Sequence, residues 1–341
     1  MPIRTNDPPS ISIIVAVRNE ATTIGSLLGE FASMAFPKDR FEVILVDDHS
    51  TDLTVEVIRA AINSFPQARL VQLPGDKSGK KAALRAGIDS ARFDLIATTD
   101  ADCTVSKNWL TCVASYFQSK ESKLVVGPVK FHEDESFFGR LQVMEFVSVA
   151  GTTAATIGLG HPVMCNGANL AFRKETFYEV GGYDDNLAIA SGDDEFLLRK
   201  VFRRYPHGIR YLNYYEAVVT TKVQPTLHDF MHQRLRWAGK WKYNQDGVAR
   251  TMAVFVLLAQ VSFLGLIVLN AIHPGLTPGL IILKIFLEGV FIAWVARFLE
   301  RRFYWPAFVV LQLAYPFYIF LVGMLSLLLP HRWKGRNYAQ G

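Results

Sequence analysis

The sequence predicts an α/β domain built on a mainly parallel sheet with helices on both faces, followed by a C-terminal block of transmembrane helices. Two observations carry this. Short apolar runs alternate with segments of helical hydrophobic spacing through the N-terminal part, which is the pattern of repeated βα units. After Arg250 the chain becomes almost continuously apolar, and most charged residues lie before that point. A length of 341 residues accommodates a domain of about 250 residues plus an appendage.

The elements follow in order. ISIIVAV, from Ile11, reads as a buried strand, and the RNEATTIGSLLGEF after it sets Ile24, Leu27, Leu28 and Phe31 at helical spacing. FEVILV at 41–46 and a helix at 54–61 repeat the unit; RLVQL, a helix at 80–90 and the strand FDLIATT continue it. Sheets of this kind bind ligands at the carboxyl ends of their strands. The apolar stretch 137–155 is expected as a helix against a membrane or the floor of a site. A further α/β segment covers 163–223, and a basic, aromatic helix at 227–243 leads into the apolar region.

Three apolar blocks, 251–272, 280–298 and 303–329, each reach or approach the roughly 20 residues a helix needs to cross a bilayer. The expected organisation is a catalytic domain over 1–245, an anchor over 246–332 and a basic tail over 333–341. HPGLTP, between the first two blocks, is uncharged, whereas RFLERRFYW, between the second and third, is basic, so the positive-inside rule puts the second linker in the cytosol. Three full spans would place the basic HRWKGR on the far side, so either the tail breaks the rule or the third block turns back at Pro316. Lys284 and Glu288, one turn apart, are expected to pair within the second block. MPIRTNDPPS has no apolar core, so no signal peptide is expected and the chain is expected to begin on the cytoplasmic side. The net charge of +5 is spread out and lies close to hydrophobic segments, which favours anionic lipid headgroups over nucleic acid as the partner. Cys103, Cys112 and Cys165 have no CxxC spacing, which argues against a zinc site or a disulfide framework and for a reducing compartment.

Five segments carry chemistry. Thr99-Asp100-Ala101-Asp102 follows the strand FDLIATT directly, and two carboxylates at a strand end converge on one hard cation able to take diphosphate oxygens. Asp47-Asp48-His49-Ser50 closes the second strand, where acids accept from a base N–H or a ribose hydroxyl; the structural alternative is that Asp48 or Ser50 caps the next helix. Gly79-Lys80-Lys81 opens the third helix, where a lysine meets a phosphate or simply faces solvent. Gly192-Asp193-Asp194-Glu195 places acids at a helix start, either for the helix dipole or to deprotonate an acceptor hydroxyl. Gln233-Arg234-Leu235-Arg236-Trp237 puts Gln233, Arg236 and Trp237 on one helix face, suited to a diphosphate and a sugar, or to a membrane surface.

The ordered set VRNEATTI, VDDHSTD, SGKKAAL, TTDAD, NGANLAFRKETFYEVGGYD, SGDDEFLL and QRLRW resembles the family 2 inverting glycosyltransferases of GT-A fold. Its last two motifs are similar to the branch with cellulose, chitin and hyaluronan synthases and ceramide glucosyltransferases. The resemblance covers residues 10–240. It implies that Ala16, Val17 and Glu20 form the first nucleotide-contacting segment, that Asp48, with Asp47 beside it, contacts base or ribose, and that Lys80 contacts the nucleotide. Asp100 and Asp102 correspond to the DxD, with Asp102 ahead as direct ligand of Mg²⁺ or Mn²⁺. Asp194 corresponds to the second acid of the acidic pair, the catalytic base, beside Asp193, where many relatives have glutamate. Gln233, Arg236 and Trp237 correspond to the segment that covers the diphosphate and lines the acceptor site.

The expected activity is transfer of a sugar from a nucleotide-sugar, expected to be UDP-linked, to a lipid or lipid-linked acceptor. The expected place is the cytosolic face of the cell membrane. Processive polysaccharide synthesis is the alternative; such synthases use more helices than the three blocks here, some ahead of the catalytic domain. A catalytically silent scaffold would be expected to lose a metal carboxylate or the base, and Asp100, Asp102 and Asp194 are all present. Nucleotidyl transfer explains the DxD but not GDDE or QRLRW.

Overall fold

The computed structural model describes residues 7–186, 192–240, 246–273, 275, 277–328, 332–333 and 336–337. Residues 187–191 before the GDDE segment, 241–245 at the expected domain boundary and most of the expected tail lie outside the described residues. The chain forms two compact units, one of residues 1–130 and 153–222, the other of residues 131–152 and 223–341.

The first unit is organised by a seven-stranded sheet. Its strands are β1 (Ile11–Val17), β2 (Phe41–Asp47), β3 (Ala68–Gln72), β4 (Leu95–Thr98) and β5 (Leu124–Val126), then, after the short β6 (Val129–Phe131), β7 (Leu170–Arg173) and β8 (Ile209–Tyr211). β6 pairs instead with β9 (Val219–Thr221) in a separate two-stranded sheet. The order in the main sheet is β3-β2-β1-β4-β7-β5-β8, parallel except that β7 runs antiparallel to both β4 and β5. β1 and β2 are mostly apolar runs because both of their faces are covered, with Ser12, Glu42 and Asp47 as their buried polar residues. On one face Ile14, Ile44, Val46 and Ile96 pack with residues of α3 (Lys80–Ser90), α6 (Lys174–Glu179) and α7 (Asp193–Arg204). On the other are α1 (Ile24–Ala32) and α4 (Trp109–Tyr116), joined by the stacked rings of Phe31 and Trp109 at 6.5 Å. The helix α2 (Thr54–Ile62) packs beside α1. Ile24, Leu27, Leu28 and Phe31 are the buried residues of α1, as their spacing predicts.

Register places the site. Ile14 lies opposite Ile44 on one side and Thr98 on the other, so β1, β2 and β4 end at a common carboxyl edge. β7 starts at that same edge, because Leu170 is the partner of Thr98. The turn NGAN before β7 therefore arrives beside the DxD.

In the second unit, α8 (Leu227–Gly239) is followed by α9 (Gly247–Ile272), α10 (Thr277–Phe298) and α11 (Trp305–Leu328), with a small two-stranded pair β10 (Arg332–Trp333) and β11 (Arg336–Asn337). Most of α5 (Phe137–Gly158), up to Thr152, also belongs to it. Three helices, α9, α10 and α11, are long and apolar enough to cross a membrane, with mean hydropathies of 2.6, 2.1 and 2.0. Phe255, Trp294 and Phe317 are each at least 65% exposed, which suits a hydrocarbon solvent and not water. The expected alternative that the third block turns back at Pro316 is not what forms: α11 continues through Pro316 as one helix, since a proline in a membrane helix removes one backbone bond that neighbouring groups can make good. Lys284 pairs with Glu288 at 2.9 Å as expected, and Gln312 of α11 bridges both, accepting from Lys284 at 2.6 Å and donating to Glu288 at 3.0 Å.

The helix α3 approaches the sheet through Gly87, where a Cβ would stand 2.4 Å from Cγ2 of Ile14 and 3.1 Å from Cγ2 of Val46. Gly87→Val is therefore expected to lower stability by about 1–3 kcal/mol, read as a drop in the thermal midpoint of the purified protein.

Candidate active site

Backbone requirements shape the loops at the carboxyl edge. The β1–α1 and β2–α2 loops are tied together: Asn19 N–H donates to Ser50 Oγ at 3.0 Å, Glu20 N–H to Thr54 Oγ1 at 2.8 Å, and Thr51 N–H to Asn19 Oδ1 at 2.8 Å. The Arg18 guanidinium donates to the carbonyls of Asp48 and His49 at 2.6 and 3.0 Å, holding the turn where Asn19 and His49 both adopt positive φ. This presents Ala16, Val17 and Glu20 alongside Asp47 and Asp48. Neither Asp48 nor Ser50 caps α2. Asp52 takes the Thr54 N–H at 3.1 Å, while the buried Asp48 accepts the Gly79 N–H at 3.0 Å and so fixes the loop that delivers Lys80. Asp47 accepts from the Ser50 N–H at 3.2 Å.

Lys80 then gathers acids from distant parts of the chain. Its Nζ is 2.6 Å from Oδ1 of Asp100 at the end of β4 and 3.7 Å from Oδ2 of Asp193 at the start of α7. Burial alone would lower the Lys80 ammonium, but Asp100, Asp193 and Asp194 outweigh it and hold the group well above its ordinary value. Asp193 is 7% exposed and is pushed up, first by burial and then by Asp194 and Asp100, against the opposing pull of Lys80 and Lys81.

Asp194 is held differently. Its Oδ2 accepts the Gly167 N–H at 2.9 Å and its Oδ1 the Glu195 N–H at 2.8 Å, and the Gly167 carbonyl accepts from Thr98 Oγ1 at 2.8 Å. Strand β4, the turn before β7 and helix α7 are thus linked through one glycine. A Cβ at Gly167 would lie 3.2 Å from Oδ2 of Asp193. Asp194 is half-buried while Asp193 is buried.

Asp100, Asp102 and Cys103 offer ligand atoms within 4.8 Å of one another. Burial, and then the carboxylates of Asp100 and Asp102, push the Cys103 thiol well up in the ion-free site, which leaves the two carboxylates as its ready ligands. What remains is a set of hard carboxylate oxygens, which fits Mg²⁺ or Mn²⁺ and not zinc.

The second unit carries QRLRW on α8, where Thr226 caps the helix by accepting the Asp229 N–H at 3.1 Å. The residue that dominates there is Arg234. It is 3% exposed, ion-paired with Glu145 of α5, donates to Gln233 Oε1 at 2.8 Å, and lies 4.6 and 4.4 Å from the ring centroids of Phe230 and Trp237. Gln233 and Trp237 are therefore oriented by Arg234, while Arg236 is half-buried on the same helix.

Comparison with known proteins identifies the family. Residues 12–181 match the model for "Glycosyl transferase family 2". The chain belongs to glycosyltransferase family 2. It is 29% identical over 234 residues to a beta-monoglucosyldiacylglycerol synthase of Synechocystis sp., covering 67% of this chain and 47% of that protein. It is 37% identical over 147 residues to the dodecaprenyl-phosphate galacturonate synthase of Rhizobium johnstonii, covering 41% of this chain and 43% of the relative. The chain thus spans about half the length of these curated relatives. Among solved structures, a mannosyltransferase from Pyrobaculum calidifontis, in complex with GDP-Man and Mn²⁺, matches with a TM-score of 0.57 and 20% identity, covering 95% of this chain and 86% of that one. That likeness is one of fold, and the fold is GT-A.

Within this family member, sequence reasoning did not single out Thr98, Gly167 or Arg18, which act through backbone groups, nor the buried Asn169. Asn169 accepts from Trp109 Nε1 at 3.0 Å and donates to the carbonyls of Pro128 and Ala217, each at 2.8 Å. NGANLAF was the available signal, but its pattern does not say which amide turns inward.

Two expectations follow. Because the folded Asp193 value is raised, the stability linked to Asp193 is present at low pH and falls as pH rises through that value; the Lys80 contribution is present below the ordinary lysine value of 10.5 and is lost only above it. Lys80→Met removes the cation that lowers Asp193, so its thermal midpoint, measured in chelator, should fall more steeply with rising pH than that of wild type. Arg234→Met leaves Glu145 buried without its partner and should cost about 3–5 kcal/mol, measured by thermal unfolding in detergent.

Proposed function

We propose that this family 2 member is a membrane-anchored, inverting glycosyltransferase. It moves a sugar from a nucleotide-sugar, UDP-linked by preference, to a lipid or lipid-linked acceptor at the cytosolic face of the cell membrane. The observation that carries the reading is the bridge of Lys80 to Asp100 and Asp193, which brings the DxD and the GDDE segment to one end of the sheet. Sequence relatives support the acceptor class, being named for glucosyldiacylglycerol and dodecaprenyl-phosphate products. The three apolar helices support the membrane, and the basic linker 297–305 supports a cytosolic catalytic domain.

In this reading Ala16, Val17, Glu20, Asp48 and Asp47 receive the nucleoside. Lys80 exchanges part of its carboxylate environment for the donor's phosphate oxygens. A divalent ion held by Asp102 and Asp100 would neutralise charge on the departing diphosphate. Asp194, oriented by the Gly167 and Glu195 amides, removes the acceptor proton as the hydroxyl attacks the face of the sugar opposite the leaving group, so configuration inverts without a covalent enzyme intermediate. Gln233, Arg236 and Trp237 are assigned to the diphosphate and the acceptor.

A panel of nucleotide-sugars with the protein in lipid bilayers and Mn²⁺ tests this. Asp194→Asn should lower transfer about 10²–10⁴-fold with the donor still bound, and Asp102→Asn should remove the response to Mn²⁺. Undiminished transfer by Asp194→Asn overturns the base assignment, long polymer products overturn the single-transfer reading, and no transfer from any donor leaves the scaffold reading.

A further inference from the structure

Thr98 is the last residue of β4 and the polar member of an otherwise apolar strand, LIAT, whose residues are all buried. Its ladder partners, Ile14 on β1 and Leu170 on β7, are apolar as well. A valine has the same shape and suits such a strand better, since a buried hydroxyl is costly unless it is hydrogen-bonded. The hydroxyl of Thr98, a residue 3% exposed, donates to the Gly167 carbonyl at 2.8 Å, with the Leu170 carbonyl farther off at 3.4 Å. The Gly167 N–H in turn donates to Asp194 Oδ2 at 2.9 Å. The two peptide planes that carry these groups meet at the Gly167 Cα, so fixing the carbonyl restricts where the N–H can point. The turn also rests directly on the acids: a Cβ at Gly167 would stand 3.2 Å from Oδ2 of Asp193 and 3.7 Å from Oδ2 of Asp194. A shift of this turn is therefore passed to the carboxylates.

We propose that Thr98 is a positioning residue for sugar transfer: its hydroxyl sets the Gly167 turn and, through the Gly167 amide, the direction of the Asp194 carboxylate. The role rests on the reading of Asp194 as the base. Thr98 is too deeply buried to touch either substrate, so its effect reaches the chemistry through Asp194. An interaction that acts through the base belongs to the transition state, and its loss lowers kcat while leaving the KM for the donor where it was.

The full chain in phosphatidylcholine nanodiscs, with Mn²⁺ and the nucleotide-sugar it uses best, would be compared as wild type, Thr98→Val and Thr98→Ser. Amide hydrogen exchange would be followed by mass spectrometry on the same samples. Thr98→Val should lower kcat about 10–100-fold with the donor KM and the Mn²⁺ requirement unchanged, and Thr98→Ser should recover most of that loss. Gly167→Ala, which presses on the acids and leaves Thr98 in place, should show the same loss of kcat and serves if Thr98→Val fails to fold. Added to Asp194→Asn, Thr98→Val should cost less than about threefold more, because the two changes act through one carboxylate. Exchange at the Gly167 amide should be about tenfold faster in Thr98→Val, with the β1 amides at their wild-type rates. A raised donor KM or Mn²⁺ requirement in place of the kcat loss overturns the proposal, as does the full loss repeated on Asp194→Asn, or unchanged exchange at Gly167. Undiminished transfer by Asp194→Asn overturns the base reading instead, and the exchange measurement decides the Thr98 contact even where no donor is used.

Discussion

One ammonium group among carboxylates organises the first unit. Asp100 and Asp193 are far apart in sequence, and like charges brought to one edge of a sheet repel unless a cation is shared between them. Lys80 supplies that cation, and the buried Asp48 fixes the loop that delivers it through the Gly79 amide. The cluster is costly to bury and is held by its partners, as functional sites commonly are. Charge balance at this edge and stability therefore draw on the same residues.

The antiparallel strand β7 has a role that its length conceals. By entering the sheet at the carboxyl edge of β4 it carries Gly167 to Thr98 on one side and Asp194 on the other. A parallel strand in that place would have begun at the opposite edge. The side-chain carboxylate of Asp194 is thus oriented by main-chain groups, which tolerate little movement.

The second unit solves a different problem, that of polar groups among apolar helices. Arg234 and Glu145 neutralise one another within a cage of aromatic rings, and Lys284, Glu288 and Gln312 form a closed set across α10 and α11. Closure is not complete everywhere, since Gln260 Oε1 and the Nε atoms of Arg140, Arg234 and Arg301 have no hydrogen-bond partner among the described residues. In hydrocarbon, satisfied and unsatisfied polar groups differ by more than they do in water.

Much of this was legible from residue order. Strands β1 to β4, the helix α3 at Lys80–Ser90, the DxD at the end of β4 and the three apolar helices follow from local periodicity and composition, because burial on one or both faces imprints those patterns directly. The pairing of Lys284 with Glu288 followed from helical spacing in the same way. Tertiary structure alone decided that β7 runs antiparallel, that Asp52 and not Asp48 meets the start of α2, that Lys80 bridges Asp100 and Asp193, and that Arg234 orients Gln233 and Trp237. Those are contacts between residues remote in sequence or choices among equivalent polar partners, and no local spacing encodes which carboxylate a lysine will reach.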